Sequence, residues 1–108
     1  MPQWALRELR SCDQVAMIGA VNAVGRFISH ECVGEIDVPT AVVVTLRDRW
    51  VSPVRQMKLA QSIPGATFHP VDSDHAACVL GARRFVPTLL DACTSVADRL
   101  GGNLPRVA

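Results

Sequence analysis

The chain has 108 residues, 49% of them hydrophobic and 19% charged, which fits at most one globular domain slightly poor in charge. Its formal net charge of +1, from 11 basic and 10 acidic residues, gives no electrostatic reason to expect nucleic acid or an anionic membrane as partner. No apolar run is long enough to span a bilayer and MPQWALRELR lacks a signal-like apolar core, so a cytoplasmic protein without a membrane span is expected. Cys12, Cys32, Cys78 and Cys93 show no C-x-x-C spacing and are expected to be reduced and mostly packed.

Pro2 to Arg10 reads as a short helix with Trp4, Ala5 and Leu9 on one face. Ser11 with Gln14 has the capping-box arrangement and predicts the start of a second helix, whose stripe is Val15, Met17, Ile18, Val21 and Val24, with Gly25 as its stop. Phe27 to Asp37 reads as a loop. Thr40 to Leu46 is an unbroken apolar and β-branched run, too short for a core helix; it predicts a parallel strand covered on both faces. Pro39 stands at its start, where a missing N–H is tolerated. Ser52-Pro53 offers an N-cap and a first-turn proline for a helix through Ser62, and Pro64-Gly65 stops it. Ala66 to Val71 supplies a second strand, followed at once by Asp72, Ser73, Asp74 and His75. A loop to about Ala82 leads to a last helix over Phe85 to Leu100, with Pro87 confined to its first turn. Its stripe is Leu89, Leu90, Cys93, Val96, Ala97 and Leu100. The chain thus divides into a helical segment over 1–37, a βαβα unit over 38–100 and a loose tail over 101–108.

In open parallel sheets, ligands and chemistry gather outside the carboxyl ends of the strands. Asp48 lies just past the first strand and His75 just past the second, so the two are candidate neighbours at one edge. Here the segment IDVPTAVVVTLRDRWVSPVRQMKLAQSIPGATFHPVDSDHAACV resembles the C-terminal part of serine α/β-hydrolases. In that family a VPT–strand–xxD segment carries the catalytic acid, and an IPGA–strand–xxxxH segment carries the catalytic histidine. The matching positions are Asp48 and His75, with Phe85 to Leu100 as the closing helix. The preceding QWALRELRSCDQVAMIGAVNAVGRF resembles the end of the lid region and its return to the core. The resemblance covers nearly the whole chain, and acid before histidine is the family's order.

The resemblance implies a serine that attacks an acyl carbonyl, a histidine that takes its proton, and an acid that orients the imidazole. The family's G-x-S-x-G nucleophile segment has no counterpart here: Ser11, Ser29, Ser52, Ser62, Ser73 and Ser95 all lie outside such a motif. The expected fold is therefore α/β, a C-terminal fragment of an α/β-hydrolase sheet. It has about two parallel strands with covering helices, in the order helix-helix-β-α-β-α. It is expected to be a hydrolase piece, esterase- or lipase-like, that is inactive alone, from a truncated gene, an internal start or a misplaced start codon. The strand's unpaired edge predicts self-association, or pairing with a nucleophile-bearing chain. Half of a complemented two-chain hydrolase, or a non-catalytic protein that self-associates through that edge, are the alternatives. In the last, a charge at Val43 would break the assembly and loss of His75 would change nothing.

Each candidate has a plainer reading. His75 fits a loop residue bonded to local backbone, and Asp48 fits an Asx-type turn or a surface partner for Arg47 or Arg49. Asp72 and Asp74 are close enough in sequence to compete for His75, although solvation and capping explain them. Ser52 and Ser73 are accounted for as a cap and a turn. His69 reads as a partly exposed strand residue, and Trp4 and Trp50 line an acyl pocket or simply pack on an element. Asp74, His75 and Cys78, and likewise His30, Glu31 and Cys32, lack a second half at ligand spacing. No metal and no cofactor is expected.

Overall fold

The computed structural model describes residues 2–101. Within them the chain is a mixed α/β unit of five helices and one two-stranded parallel sheet. Two helices come first, α1 (Gln3–Ser11) and α2 (Gln14–Arg26). A 3₁₀ turn at Val33–Glu35 precedes β1 (Ala41–Thr45), α3 (Pro53–Ser62) and β2 (Thr67–Val71). A single turn of helix, α4 (Ala77–Leu80), then leads into α5 (Ala82–Arg99). None of these helices is long and apolar enough to cross a membrane.

The strand–helix–strand unit forms where its residues predict. Ser52 caps α3 by accepting from the Arg55 N–H, with Pro53 at the first helical position, where the ring's missing donor costs nothing. Gly65 takes a φ of +69° after that helix, a backbone that glycine adopts without steric cost, and the chain turns directly into β2. The strands pair in register from Ala41 opposite Thr67 to Thr45 opposite Val71. The ladder runs on past them, Leu46 N–H donating to Val71 and Arg47 N–H to Ser73.

The ladder also says which edge is open. Thr67 donates to Thr40, so the odd-numbered residues of β2 turn their backbone groups toward β1 and the even ones face outward. Pro70 is an outward one, and its missing N–H blunts the outer edge of β2. On β1 the outward backbone groups belong to Ala41, Val43 and Thr45, and no strand pairs with them among the described residues.

The core is thin. Val44, at the middle of the sheet, is fully buried, and Ala60, Ile63, Val71, Ala77 and Ala92 are buried around it. Arg99 fastens α5 across the amino ends of the strands, donating to the carbonyls of Gly65 and Thr40 at 2.8 Å each. The radius of gyration is 16.6 Å, against about 13 Å for a compact chain of this length.

Several local expectations are corrected. The N-cap of α2 is Asp13, whose carboxylate accepts from Val15 and Ala16; Ser11 instead closes α1 by donating to the Glu8 carbonyl. A carboxylate beside the first turn outcompetes a hydroxyl still held in the preceding helix. The helix runs past Gly25 to Arg26, and its stripe stays in the open, with Val15, Ile18, Val21 and Val24 at 78, 67, 71 and 76% exposure. The loop expected after β2 contains α4. The last helix begins at Ala82, so Pro87 lies inside it rather than in its first turn. Its sheet-facing side carries Phe85, Thr88, Ala92 and Ser95; of the expected stripe Val96 and Ala97 are half-buried, while Leu89, Leu90, Cys93 and Leu100 stay exposed. All four cysteines are free and exposed, against the expectation that most are packed, because Cys78 and Cys93 lie on outward helix faces. The tail from residue 102 onward lies outside the described residues.

Gly81 joins α4 to α5 at a tight place. An added Cβ there would overlap the Ser73 hydroxyl and stand 3.2 Å from the Ala77 carbonyl oxygen. Its φ of −113° suits any residue, so the cost of Gly81→Ala is purely one of space. Urea unfolding is expected to show a loss of about 1–3 kcal/mol; an unchanged midpoint would mean that Ser73 swings aside freely.

Candidate active site

Asp48 and His75, 27 positions apart, are brought into contact: Asp48 Oδ2 lies 3.0 Å from His75 Nδ1. The parallel register makes this so. It ends both strands at the same level, and each residue follows its strand by three or four positions. Asp48 is buried, with its side chain 5% exposed, whereas the imidazole is 55% exposed.

The turn that holds Asp48 is built by its own carboxylate. Oδ1 accepts from the Trp50 N–H at 2.8 Å and the Val51 N–H at 2.9 Å, an Asx-type closure that leads into the Ser52 cap. Oδ2 accepts from the Thr45 hydroxyl at 3.0 Å and meets His75. The Asx-type turn reading of Asp48 holds on Oδ1, and Oδ2 makes the contact with His75 that an orienting acid would need. The rival of a surface ion pair fails: Arg47 pairs with Asp72 at 2.8 Å, and no ion pair joins Asp48 to Arg49 among the described residues.

Asp72 is gripped from two sides. Arg47 and Arg84 each bond both its carboxylate and its carbonyl, with contacts between 2.8 and 3.1 Å. Asp74 caps the following turn by accepting from the Ala76 N–H. Neither competes for His75. Fixed on both sides, the His75 turn projects the ring into an open cleft of about 1110 Å³ lined by Arg47, Trp50, Ser73, Val79 and Arg84 among others. Trp50 stands over the imidazole with ring centroids 6.1 Å apart and planes tilted by 30°. Trp4 lies on α1, and His69 spends its Nε2 on the Thr67 hydroxyl in mid-strand. Among the described residues no group of three or more His, Cys, Asp or Glu side chains is gathered as for a metal.

Burial alone would raise the Asp48 pKa. The Val51 N–H, His75, the Trp50 N–H and the Thr45 hydroxyl together outweigh it and lower the carboxyl from 3.8 to about 2, since each stabilises the charged form. A folded value below the unfolded one means stability that is complete above about pH 4 and lost as the pH falls through about 2. A ¹³C titration of the Asp48 carboxyl is expected to place its midpoint near 2. A midpoint at 3.8 would mean that the backbone donors are not engaged in solution.

With Asp48 ionised it can only accept, so the proton of the 3.0 Å contact sits on His75 Nδ1. In the neutral ring Nε2 then carries the lone pair, and it has no hydrogen-bond partner among the described residues. The arrangement can hold an imidazole in one tautomer and offer a base to a group in the cleft.

Sequence reasoning passed over two residues here, Thr45 and Gln56. Gln56 on α3 contacts Thr45, Asp48 and Val51. The available signal was a glutamine eight positions after the acid on an otherwise amphipathic helix, which reads as an ordinary solvent-facing residue until the helix is docked. Comparison of the chain with protein-family models, with curated proteins and with solved structures returns no match.

Proposed function

We propose that this chain carries the acid and the general base of a serine-dependent acyl hydrolase of the α/β-hydrolase type, acting on a serine from a segment outside this sequence. The observation that carries the reading is the Asp48–His75 contact of 3.0 Å at the carboxyl ends of two parallel strands. Supporting it, the acid is buried and the base is open to a cleft.

In the proposed reaction His75 Nε2 takes the serine hydroxyl proton as the oxygen attacks an ester or related acyl carbonyl. The imidazolium, stabilised by Asp48, returns that proton to the leaving group as the acyl–oxygen bond breaks. Water, deprotonated by the same nitrogen, then cleaves the acyl-serine and restores the hydroxyl. Asp48 stays ionised throughout, and its low pKa serves that task. The nucleophile's segment belongs either to the same polypeptide or to a second one that pairs on the open edge of β1.

The test is to capture the native protein with an antibody to α5 and treat it with a fluorophosphonate, which phosphonylates activated serines with loss of fluoride. One labelled serine is expected. An intact mass above 11.7 kDa by far more than the label adds would put it in the same polypeptide, whereas a labelled companion chain would mark a two-chain enzyme. Absence of any labelled serine in active, folded material overturns the proposal.

A further inference from the structure

Gln56 makes more side-chain contacts around the acid than any single turn requires. Its Oε1 accepts from the Thr45 N–H at 2.8 Å. Its Nε2 donates to the Val51 carbonyl at 2.7 Å and to the Thr45 hydroxyl at 2.9 Å, and lies 3.4 Å from Asp48 Oδ2. The amide orientation follows from these partners: flipped, it would set oxygen against the Val51 carbonyl and N–H against the Thr45 N–H. Thr45 N–H faces the open edge of β1, so the glutamine amide also takes the place that a neighbouring strand's peptide would occupy there.

The consequence runs through one proton. The Thr45 hydroxyl can donate only once, to Asp48 Oδ2 at 3.0 Å or to Gln56 Oε1 at 3.2 Å. Oε1 is already engaged, and a carboxylate is the stronger acceptor. With Nε2 donating into the hydroxyl's lone pair, its proton is directed onto Asp48. We infer that Gln56 is a positioning residue for the acid of the pair, holding through Thr45 the carboxylate oxygen that meets His75 and tying it to both ends of the acid turn. This rests on the proposed catalytic role of Asp48 and His75; the geometry itself does not.

The experiment compares Gln56→Met and Gln56→Glu in the full chain, reading the Asp48 ¹³C carboxyl titration. His75 is the ionisable side chain bonded to Asp48 among the described residues, and it is untouched in both variants. The midpoint is expected to rise from about 2 toward 3.8 in Gln56→Met. In Gln56→Glu the new carboxyl is the weaker acid of the pair and is already protonated where Asp48 titrates, so it can accept and donate there much as the amide does, and the midpoint should stay nearer 2 than in Gln56→Met. A structural plug would change unfolding without that order. An unmoved midpoint in folded Gln56→Met overturns the inference, as does failure of both to fold, which would make Gln56 a residue of the fold alone. The titration reads the chain and the fluorophosphonate reads the enzyme, so each can fail without the other.

Discussion

His75→Ala is expected to lower the rate of serine phosphonylation by the fluorophosphonate, or of acylation by an ester substrate, roughly a million-fold. With alanine the serine proton has no acceptor, and the leaving group has no donor. Members of such a unit are not additive, so this one loss removes most of what the whole constellation supplies. The fold should hardly notice. The imidazole is 55% exposed, and its one side-chain hydrogen bond among the described residues is to Asp48, which keeps its Thr45, Trp50 and Val51 donors, so a loss of only about 0.5–1.5 kcal/mol is expected. This separation of effects makes the variant decisive. Equal labelling of wild type and His75→Ala would sink the catalytic reading and favour a protein that associates through the Val43 edge, for which this histidine is irrelevant.

Asp48→Asn should cost about ten-thousand-fold, and for a reason visible in the turn. Asparagine has one acceptor oxygen, and two backbone donors, Trp50 N–H and Val51 N–H, claim it at the Oδ1 position. Its amino group must then face His75 Nδ1 and the Thr45 hydroxyl. A donor there forces Nδ1 to accept, which moves the ring proton to Nε2 and leaves no base toward the serine. Nitrogen NMR of the imidazole should show the tautomer reversed, together with the lost rate. Retained rate with a reversed tautomer would show that the lone pair on His75 Nε2 is not the base the reaction uses.

The order and ends of the central elements were legible in the residues from Val38 to His75. Ser52-Pro53, Pro64-Gly65 and a valine-rich run shorter than a helix each act through local backbone physics, and local physics needs no partner. The pairing of Asp48 with His75 was legible one step less directly, as two residues just beyond strand ends. It required only that the strands be parallel and in step.

What the sequence by itself determined is therefore the strand–helix–strand unit and the two residues placed at its carboxyl edge. Tertiary structure decided the rest. Stripe composition marked Leu89, Leu90, Cys93, Val96, Ala97 and Leu100 for burial, but docking buried Ala92, half-buried Ser95, Val96 and Ala97, and left Leu89, Leu90, Cys93 and Leu100 exposed, because small side chains let α5 approach the sheet and Arg99 reach across it. The stripe of α2 met no surface among the described residues and stayed exposed. Asp13 displaced Ser11 as a cap once the first helix had taken the serine. Gln56 acquired its contacts only when α3 lay against β1. Hydrogen bonds and apolar burial between distant segments depend on which faces meet, and that is settled by the packing of whole elements rather than by the periodicity of any one.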